Sequence, residues 1–287
     1  RLMGGVHRLV LDGRAPALEP FYPSAGGTDA GDPVPALLKV LAEHEDALQA
    51  AMNETVQTNE VARAALLAGG FATIARRTGL PLRLLEVGAS GGLLLRWDRY
   101  WYDTGRTSLG DPSSPVRFTD SWQDPAPDLD VAVTVAQRSG CDVAPIDATT
   151  ADGQLRLLSF VWPDQAERLA RLRAAFRVAE AMPVTVDRDD AGEWATARLA
   201  RSADGVATVV YHSIVLQYLP RPSFVKLREA VLAAGARATP SSPVAWLRME
   251  PAGPVADLRL NVWPGRGDEV LATAGYHGQA ITWQAAG

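Results

Sequence analysis

Cysteine is all but missing. Cys141 is the single thiol in 287 residues, which excludes an intrachain disulfide and a cysteine-based zinc centre and makes a reducing cytoplasm the expected compartment. The four histidines, at positions 7, 44, 212 and 277, never fall at H-x-x-x-H spacing, so no metal-ligand pattern is present. Every apolar run is far shorter than the ~20 residues of a membrane span, and Arg1-Leu2-Met3-Gly4 holds no signal-type apolar region. Because the chain opens on Arg and not Met, further residues are expected upstream. Lysine is scarce too, at Lys39 and Lys226 only, and 28 basic against 33 acidic residues leave a net charge of −5. No overall positive field draws such a chain to nucleic acid or to an anionic membrane, so the expected partner is a small molecule. What remains, 47% hydrophobic and 21% charged residues, is the composition of an ordinary globular protein.

One stretch organises the rest: Leu82 to Trp97, LRLLEVGASGGLLLRW. Leu82 to Val87 predicts a buried strand, Gly88, Gly91 and Gly92 a tight turn, and Leu93 to Leu95 the opening of a helix. A strand, a small-residue turn and a helix together hold nucleotide-like ligands, because glycine admits close backbone approach and a helix start offers unpaired N–H groups. Glu86 adds a carboxylate beside the turn. The dinucleotide pattern G-x-G-x-x-G fails, since Ser90 and Leu93 occupy its second and third glycine positions. Two patterns fit. Gly88-Ala89-Ser90-Gly91-Gly92 reads as a G-x-S-x-G nucleophile elbow, with Ser90 attacking. Glu86, Gly88, Ser90 and Gly92 equally resemble the acidic-x-G-x-G-x-G loop of class I S-adenosylmethionine methyltransferases, with Ser90 in place of the middle glycine.

The first eighty residues read as helical, with no convincing strand. Prolines and glycines between Pro16 and Pro35 mark an irregular connection; Ala36 to Met52 predicts one helix with Leu37, Val40, Leu41, Leu48 and Ala51 inward. A second helix is expected from Gln57-Thr58-Asn59-Glu60, interrupted at Gly69-Gly70. Asn59, Glu60 and Arg63 are polar enough either to cover a site as a lid or to form a solvated face. The absence of earlier strands counts against the elbow, whose fold lays down several strands before the nucleophile.

Beyond the turn, residues 100 to 130 predict a hairpin-like insertion, and Val131 to Ala136 a second strand leading to Asp142. An acid after a second strand is where vicinal ribose hydroxyls bind; Asp142 is the first choice and Asp103 its rival. A helix from Trp162-Pro163 turns Leu169, Leu172, Phe176 and Ala179 inward and its arginines to solvent. Asp190, past a strand at Pro183 to Val186, suits either an adenine amino group or a helix N-cap. Val206 to Tyr211 predicts a central strand ending in His212, with Gln217 and Tyr218 just beyond. His212 is the candidate general base by position and titration range, or else a histidine bonded to backbone. Gln217 and Tyr218 are candidate substrate contacts, Tyr218 alternatively a packing residue; His7, His44 and His277 read as surface. A helix from Pro222, a strand from Val244 and two strands near Leu258 to Val262 and Gln279 to Trp283 close the chain as an antiparallel hairpin.

This order resembles the class I methyltransferase sandwich over about residues 80 to 287. It implies a Rossmann-like α/β domain at 81–287, mostly parallel with a C-terminal antiparallel hairpin, behind a helical cap at 1–80. The phrases LLEVGASGGLLLRWDRYWYD, GCDVAPID, LLSFVWPDQAERLARLRAA and VVYHSIVLQYLP together resemble an uncharacterised bacterial family, domain of unknown function 2332. The methyltransferase resemblance implies S-adenosylmethionine as cofactor: Gly88, Ser90 and Gly92 around its methionine end, Glu86 near its amino group, Asp142 at the ribose and Asp190 at the adenine. A serine at position 90 is expected to need negative φ for such binding. The alternatives are an interaction protein without turnover and a serine hydrolase built on Ser90.

Overall fold

Helices come first and strands later. In the computed structural model, which describes residues 1–265 and 267–284, α1 (Leu2–Leu11), α2 (Val34–Glu43), α3 (Glu45–Asn53) and α4 (Arg63–Thr78) precede β1 (Leu82–Val87). The single helix expected over Ala36 to Met52 is two, divided at His44, whose backbone leaves the helical region and whose Nε2 lies 3.0 Å from the Arg14 carbonyl oxygen. Two further corrections concern α4. It starts at Arg63, leaving Gln57 to Glu60 in an irregular segment, and it runs unbroken through Gly69 and Gly70. A Cβ on Gly69 would stand 2.6 Å from the Trp283 ring, and one on Gly70 2.6 Å from Leu247 Cδ1. The glycines let the helix lie close on the sheet and do not break it.

After β1 the expected α-helix is a six-residue 3-10 turn, Leu94–Arg99, which ends where Tyr100 enters a small sheet of β2 (Trp101–Asp103), β3 (Ser108–Gly110) and β4 (Arg117–Phe118). β2 and β3 form the anticipated hairpin, and β4 adds in parallel. β5 (Val135–Asp142) begins later than expected and carries Asp142 as its last residue; α5 (Ala151–Ser159), absent from the sequence reading, follows, capped by the Thr150 hydroxyl. Then come α6 (Ala166–Ala181), β6 (Val186–Arg188), α7 (Ala191–Leu199), β7 (Ala207–Ser213), α8 (Arg221–Ala236), β8 (Val244–Ala252), β9 (Val255–Trp263), β10 (Glu269–Ala274) and β11 (Thr282–Trp283). The strand β10 was not anticipated.

The main sheet has the order β11-β10-β9-β8-β7-β1-β5-β6. From β6 to β8 neighbours are parallel; β8 to β11 form an antiparallel meander. The expected mixed α/β architecture, mostly parallel with an antiparallel C-terminal hairpin, is the one found. Alternation along the strands assigns the faces. Leu82 and Leu84 of β1, with Val209 and Tyr211 of β7, join the core under α4 and α6. Leu85, Val87 and Val210 point the other way, into the core under α7 and α8. Helices therefore cover both sides, as a parallel sheet requires. The helical first eighty residues divide in packing: α4 belongs to the sheet's core, whereas α1 to α3 enclose a small core of their own around Val6, Leu9, Val40 and Leu48. His7, expected at the surface, is 1% exposed there, because it shares the inward face of α1; its Nε2 lies 2.8 Å from Ser24 Oγ.

From β1 the chain first fills one side of the sheet with β5 and β6, then returns to fill the other with β7 and β8. Loops leaving β1 and β7 thus diverge, and a crevice opens outside the carboxyl ends of these strands. Gly70→Ala should lower unfolding stability by about 1–3 kcal/mol through overpacking against Leu247, although alanine is the better helix former; urea titration of both proteins measures it.

Candidate functional site

The crevice holds a cavity of about 290 Å³, near the lower end of ligand clefts. Its floor is the end of β1 with the glycine turn (Glu86, Gly88, Ser90), its sides come from the ends of β5 (Cys141, Asp142), β6 (Asp189, Asp190) and β7 (Ser213 to Val215), and residues 55 to 60 cross over it with Arg63. The crossing strap is tied down on both sides. Gln57 Nε2 donates to Asp142 Oδ1 at 3.3 Å and to the Ala144 carbonyl at 3.2 Å; Arg63 donates to the carbonyls of Ser213 and Tyr276, each at 3.0 Å. Glu60 lies 2.6 Å from Arg168 Nε. The structure thus brings Asn59, Glu60 and Arg63 to the cavity wall.

Backbone strain gathers here. Gly88 and Gly92 have φ of 71° and 64°, and Ser90 has φ 52°, the positive value that counts against cofactor binding with a serine at this place. Asn59 (φ 34°) and the β-branched Ile214 (φ 54°) also line the cavity, leaving only Ala280 among the positive-φ non-glycine residues described outside it. Such residues cost roughly 1–3 kcal/mol each and concentrate at ligand sites. Gly88 has no room for a side chain: a Cβ would stand 2.2 Å from Val215 Cγ2. Gly92, expected at the ligand, packs instead against Val184 and Val186 and lies outside the cavity lining. The turn is fastened from behind by the buried Arg96, which donates to the carbonyls of Gly92 and Met182, each at 2.8 Å.

The cavity is acidic. Glu86 is 3% exposed and accepts from the Tyr211 hydroxyl at 3.0 Å; burial pushes its carboxyl up to about 8, with the nearby Asp142 charge adding to the rise. Asp142 accepts from the Ser90 N–H at 3.0 Å and the Ala144 N–H at 2.9 Å. Its rival Asp103 sits in the small sheet, accepting from the Gly105 N–H, and is not part of the wall. Asp190 lines the cavity yet serves as the N-cap of α7, bonded to the N–H groups of Gly192 and Glu193 and to the Ser223 hydroxyl. Cys141 is buried, which pushes its thiol up to about 12 and leaves it unreactive.

His212 is a correction. Alternation along β7 turns its ring to the α8 side, where it is 0% exposed and outside the cavity. Its Nδ1 lies 2.6 Å from Glu250 Oε1 and its Nε2 3.1 Å from Trp246 Nε1. Indole N–H only donates, so Nε2 accepts, and the proton sits on Nδ1, shared with Glu250. Glu250 in turn accepts from the Val215 and Leu216 N–H groups, holding the loop after β7. His212 therefore joins β8 through Glu250 and Trp246 and does not face the cavity. Gln217 is exposed and lies outside the lining, whereas Tyr218, 73% exposed, stands at the mouth and does not pack. No histidine bonds Ser90, whose Oγ is buried with no partner among the described residues; the serine–base pair of an activated nucleophile is missing.

Sequence reasoning missed Gln57, Arg96, Asp189, Tyr211 and Glu250. Only Tyr211 left a trace, as the residue before His212 on a strand ending at the carboxyl edge; Gln57 and Glu250 act through contacts far apart along the chain, Arg96 through Met182 as well as nearby Gly92, and Asp189 by lining the cavity. Among the described residues no cluster of three His, Cys, Asp or Glu has the placement to hold a metal, and no helix is long and apolar enough to cross a membrane.

Fold and cavity define a mixed α/β protein with an acid-lined cleft at the reversal point of its sheet. Residues 1–283 match the family described as "Uncharacterized protein conserved in bacteria (DUF2332)", and the chain belongs to it. No curated protein and no solved structure matches the chain.

Two measurements probe this arrangement. Because the folded Glu86 carboxyl titrates above its unfolded value of 4.5, stability is full below that value and falls as pH rises toward 8. Glu86→Gln, neutral throughout, should match wild type near pH 4.5 and exceed it by about 1 kcal/mol or more at pH 9 in denaturant unfolding. His212→Ala leaves the buried Trp246 indole N–H unpaired and takes one partner from half-buried Glu250, which keeps the Val215 and Leu216 N–H groups, and should cost about 2–4 kcal/mol, read as a lowered thermal midpoint.

Proposed function

We propose that the chain is an S-adenosylmethionine-dependent methyltransferase acting on a small molecule. The observation that carries this reading is the acid-walled cavity over the glycine turn: Asp142, Asp189 and Asp190 face it beside the protonated Glu86 carboxyl, while Glu60 is paired with Arg168 and Arg63 is bonded to backbone carbonyls. A ligand rich in donors and positive charge suits such walls, and S-adenosylmethionine offers a sulfonium, an ammonium, two vicinal hydroxyls and an adenine amine. Support also comes from the order β6-β5-β1-β7-β8, the 3-2-1-4-5 sequence of doubly wound sheets, of which the class I methyltransferase sandwich is the finer reading. Two features depart from that pattern: the meander from β8 to β11, and Ser90 at a positive-φ position.

The residues fit the cofactor. Buried polar atoms on Asn59 and Ser90 have no partner among the described residues, whereas the room left by Gly88 is taken by Val215. In this reading Glu86 faces the amino group, Asp142 takes the ribose hydroxyls with its remaining lone pairs, and the adenine amine lies toward Asp189 and Asp190. The bound cofactor supplies an electrophilic methyl group on sulfur. The chain holds it with the acceptor entering past Val56, Val143 and Tyr218, each exposed at the mouth, and gains rate by orientation. A second reading, binding without turnover, draws on one fact: the only strand-edge histidine is sealed off, so no imidazole faces the cavity.

Calorimetric titration with S-adenosylmethionine and S-adenosylhomocysteine tests the proposal. Both should bind, and Asp142→Asn should weaken binding about tenfold by removing charge-assisted bonds. No heat from either ligand at millimolar concentration overturns it.

A further inference from the structure

The Asp142 carboxylate is nearly full. Such a group offers about four acceptor positions on its two oxygens. On Asp142, Oδ1 accepts from the Ala144 N–H at 2.9 Å and from Gln57 Nε2 at 3.3 Å, while Oδ2 accepts from the Ser90 N–H at 3.0 Å. One position is left, on Oδ2. Two vicinal hydroxyls bind a carboxylate as a pair, one on each oxygen, and so ask for two. The backbone donors are fixed by the glycine turn and by the end of β5, which leaves Gln57 as the donor that can yield.

Its surroundings make yielding cheap. Both bonds of the Gln57 amide, to Asp142 and at 3.2 Å to the Ala144 carbonyl, lie at the long end of the hydrogen-bond range. Among the described residues, none from 54 to 60 belongs to an apolar core. Gln57 and Glu60 are the buried side chains of this strap, at 7% and 5% exposure, whereas Val56, its single apolar one, is 48% exposed. Lifting the strap therefore uncovers little apolar surface, and it releases Asn59 from a φ of 34°. We propose that Gln57 is an autoinhibitory plug: its amide stands on Asp142 where a hydroxyl of the ligand binds, and the ligand's diol displaces it and lifts the strap. The proposal rests on the methyltransferase reading, which puts a ribose at Asp142, and adds to it a contact that regulates entry. Apparent affinity is then the intrinsic affinity reduced by the fraction of molecules with the plug withdrawn. Loosening the strap tightens binding, the reverse of a lid whose residues grip the ligand.

Calorimetry with S-adenosylhomocysteine and its 2′,3′-dideoxy analogue, on wild type and Gln57→Ala, reads that sign. Gln57→Ala should bind S-adenosylhomocysteine about fivefold more tightly than wild type, and the dideoxy analogue, which has no diol to place, within about twofold. Hydrogen exchange on the ligand-free proteins checks that the variant is folded with its strap loosened: amides of residues 54 to 60 should exchange about fivefold faster, with those of β1 and β7 unchanged. Gln57→Glu, which sets a like charge beside Asp142, should speed strap exchange at least as much. An unchanged or weaker affinity of Gln57→Ala for S-adenosylhomocysteine makes Gln57 a support or a ligand contact; it overturns the plug and leaves the methyltransferase reading standing. An equal gain for both ligands, or strap exchange unchanged in both variants, does the same. If neither protein binds S-adenosylhomocysteine, the methyltransferase reading falls and the plug with it.

Discussion

The carboxylate of Asp142 is the knot of the site. One oxygen accepts from the Ser90 N–H and the other from the Ala144 N–H and the Gln57 amide, so the glycine turn, the end of β5 and the strap meet at one charged group. Charge-assisted bonds of this kind are stronger than neutral ones. Here they hold three chain segments, two of them in strained conformations, about a common point. Arg96 does the same from the opposite side of the turn, gripping its carbonyls. An acid in front and a base behind fix a loop that has little secondary structure to hold it.

Strand periodicity explains why neighbouring residues on β7 have unlike duties. Tyr211 turns toward α4 and bonds Glu86 at the cavity floor, while His212 turns toward α8 and anchors Glu250. Both act on the site, one from below and one by shaping the loop of Ile214 to Leu216. A buried histidine with both nitrogens engaged is a joint between strands, and its conformational role follows from Trp246 being able only to donate.

Much of this was legible in the sequence. The strand Leu82–Val87, the glycine turn, the central strand before His212 and the apolar stripe of α6 all follow from local periodicity and turn chemistry. The misreadings share one physical origin, tertiary contact overriding local preference. Gly69 and Gly70 read as a helix break because their close approach to Trp283 and Leu247 lies more than 170 positions away. His212 read as a base because position along a strand was legible but face was not, and Gln57 and Glu250 went unread because each matters only through a distant partner. Asp190 illustrates a true ambiguity: its N-cap bonds are local, and its place at the cavity is not.

The strap is fastened at both ends to bodies with separate interiors. Upstream it leaves α3, which belongs to the small core around Val40 and Leu48; downstream it enters α4, which lies in the core of the sheet. The roof of the cleft is therefore continuous with two separately packed interiors while its own bonds, from Gln57 and Arg63, run only to the sheet side, so the small core bears on the cavity through chain connection alone.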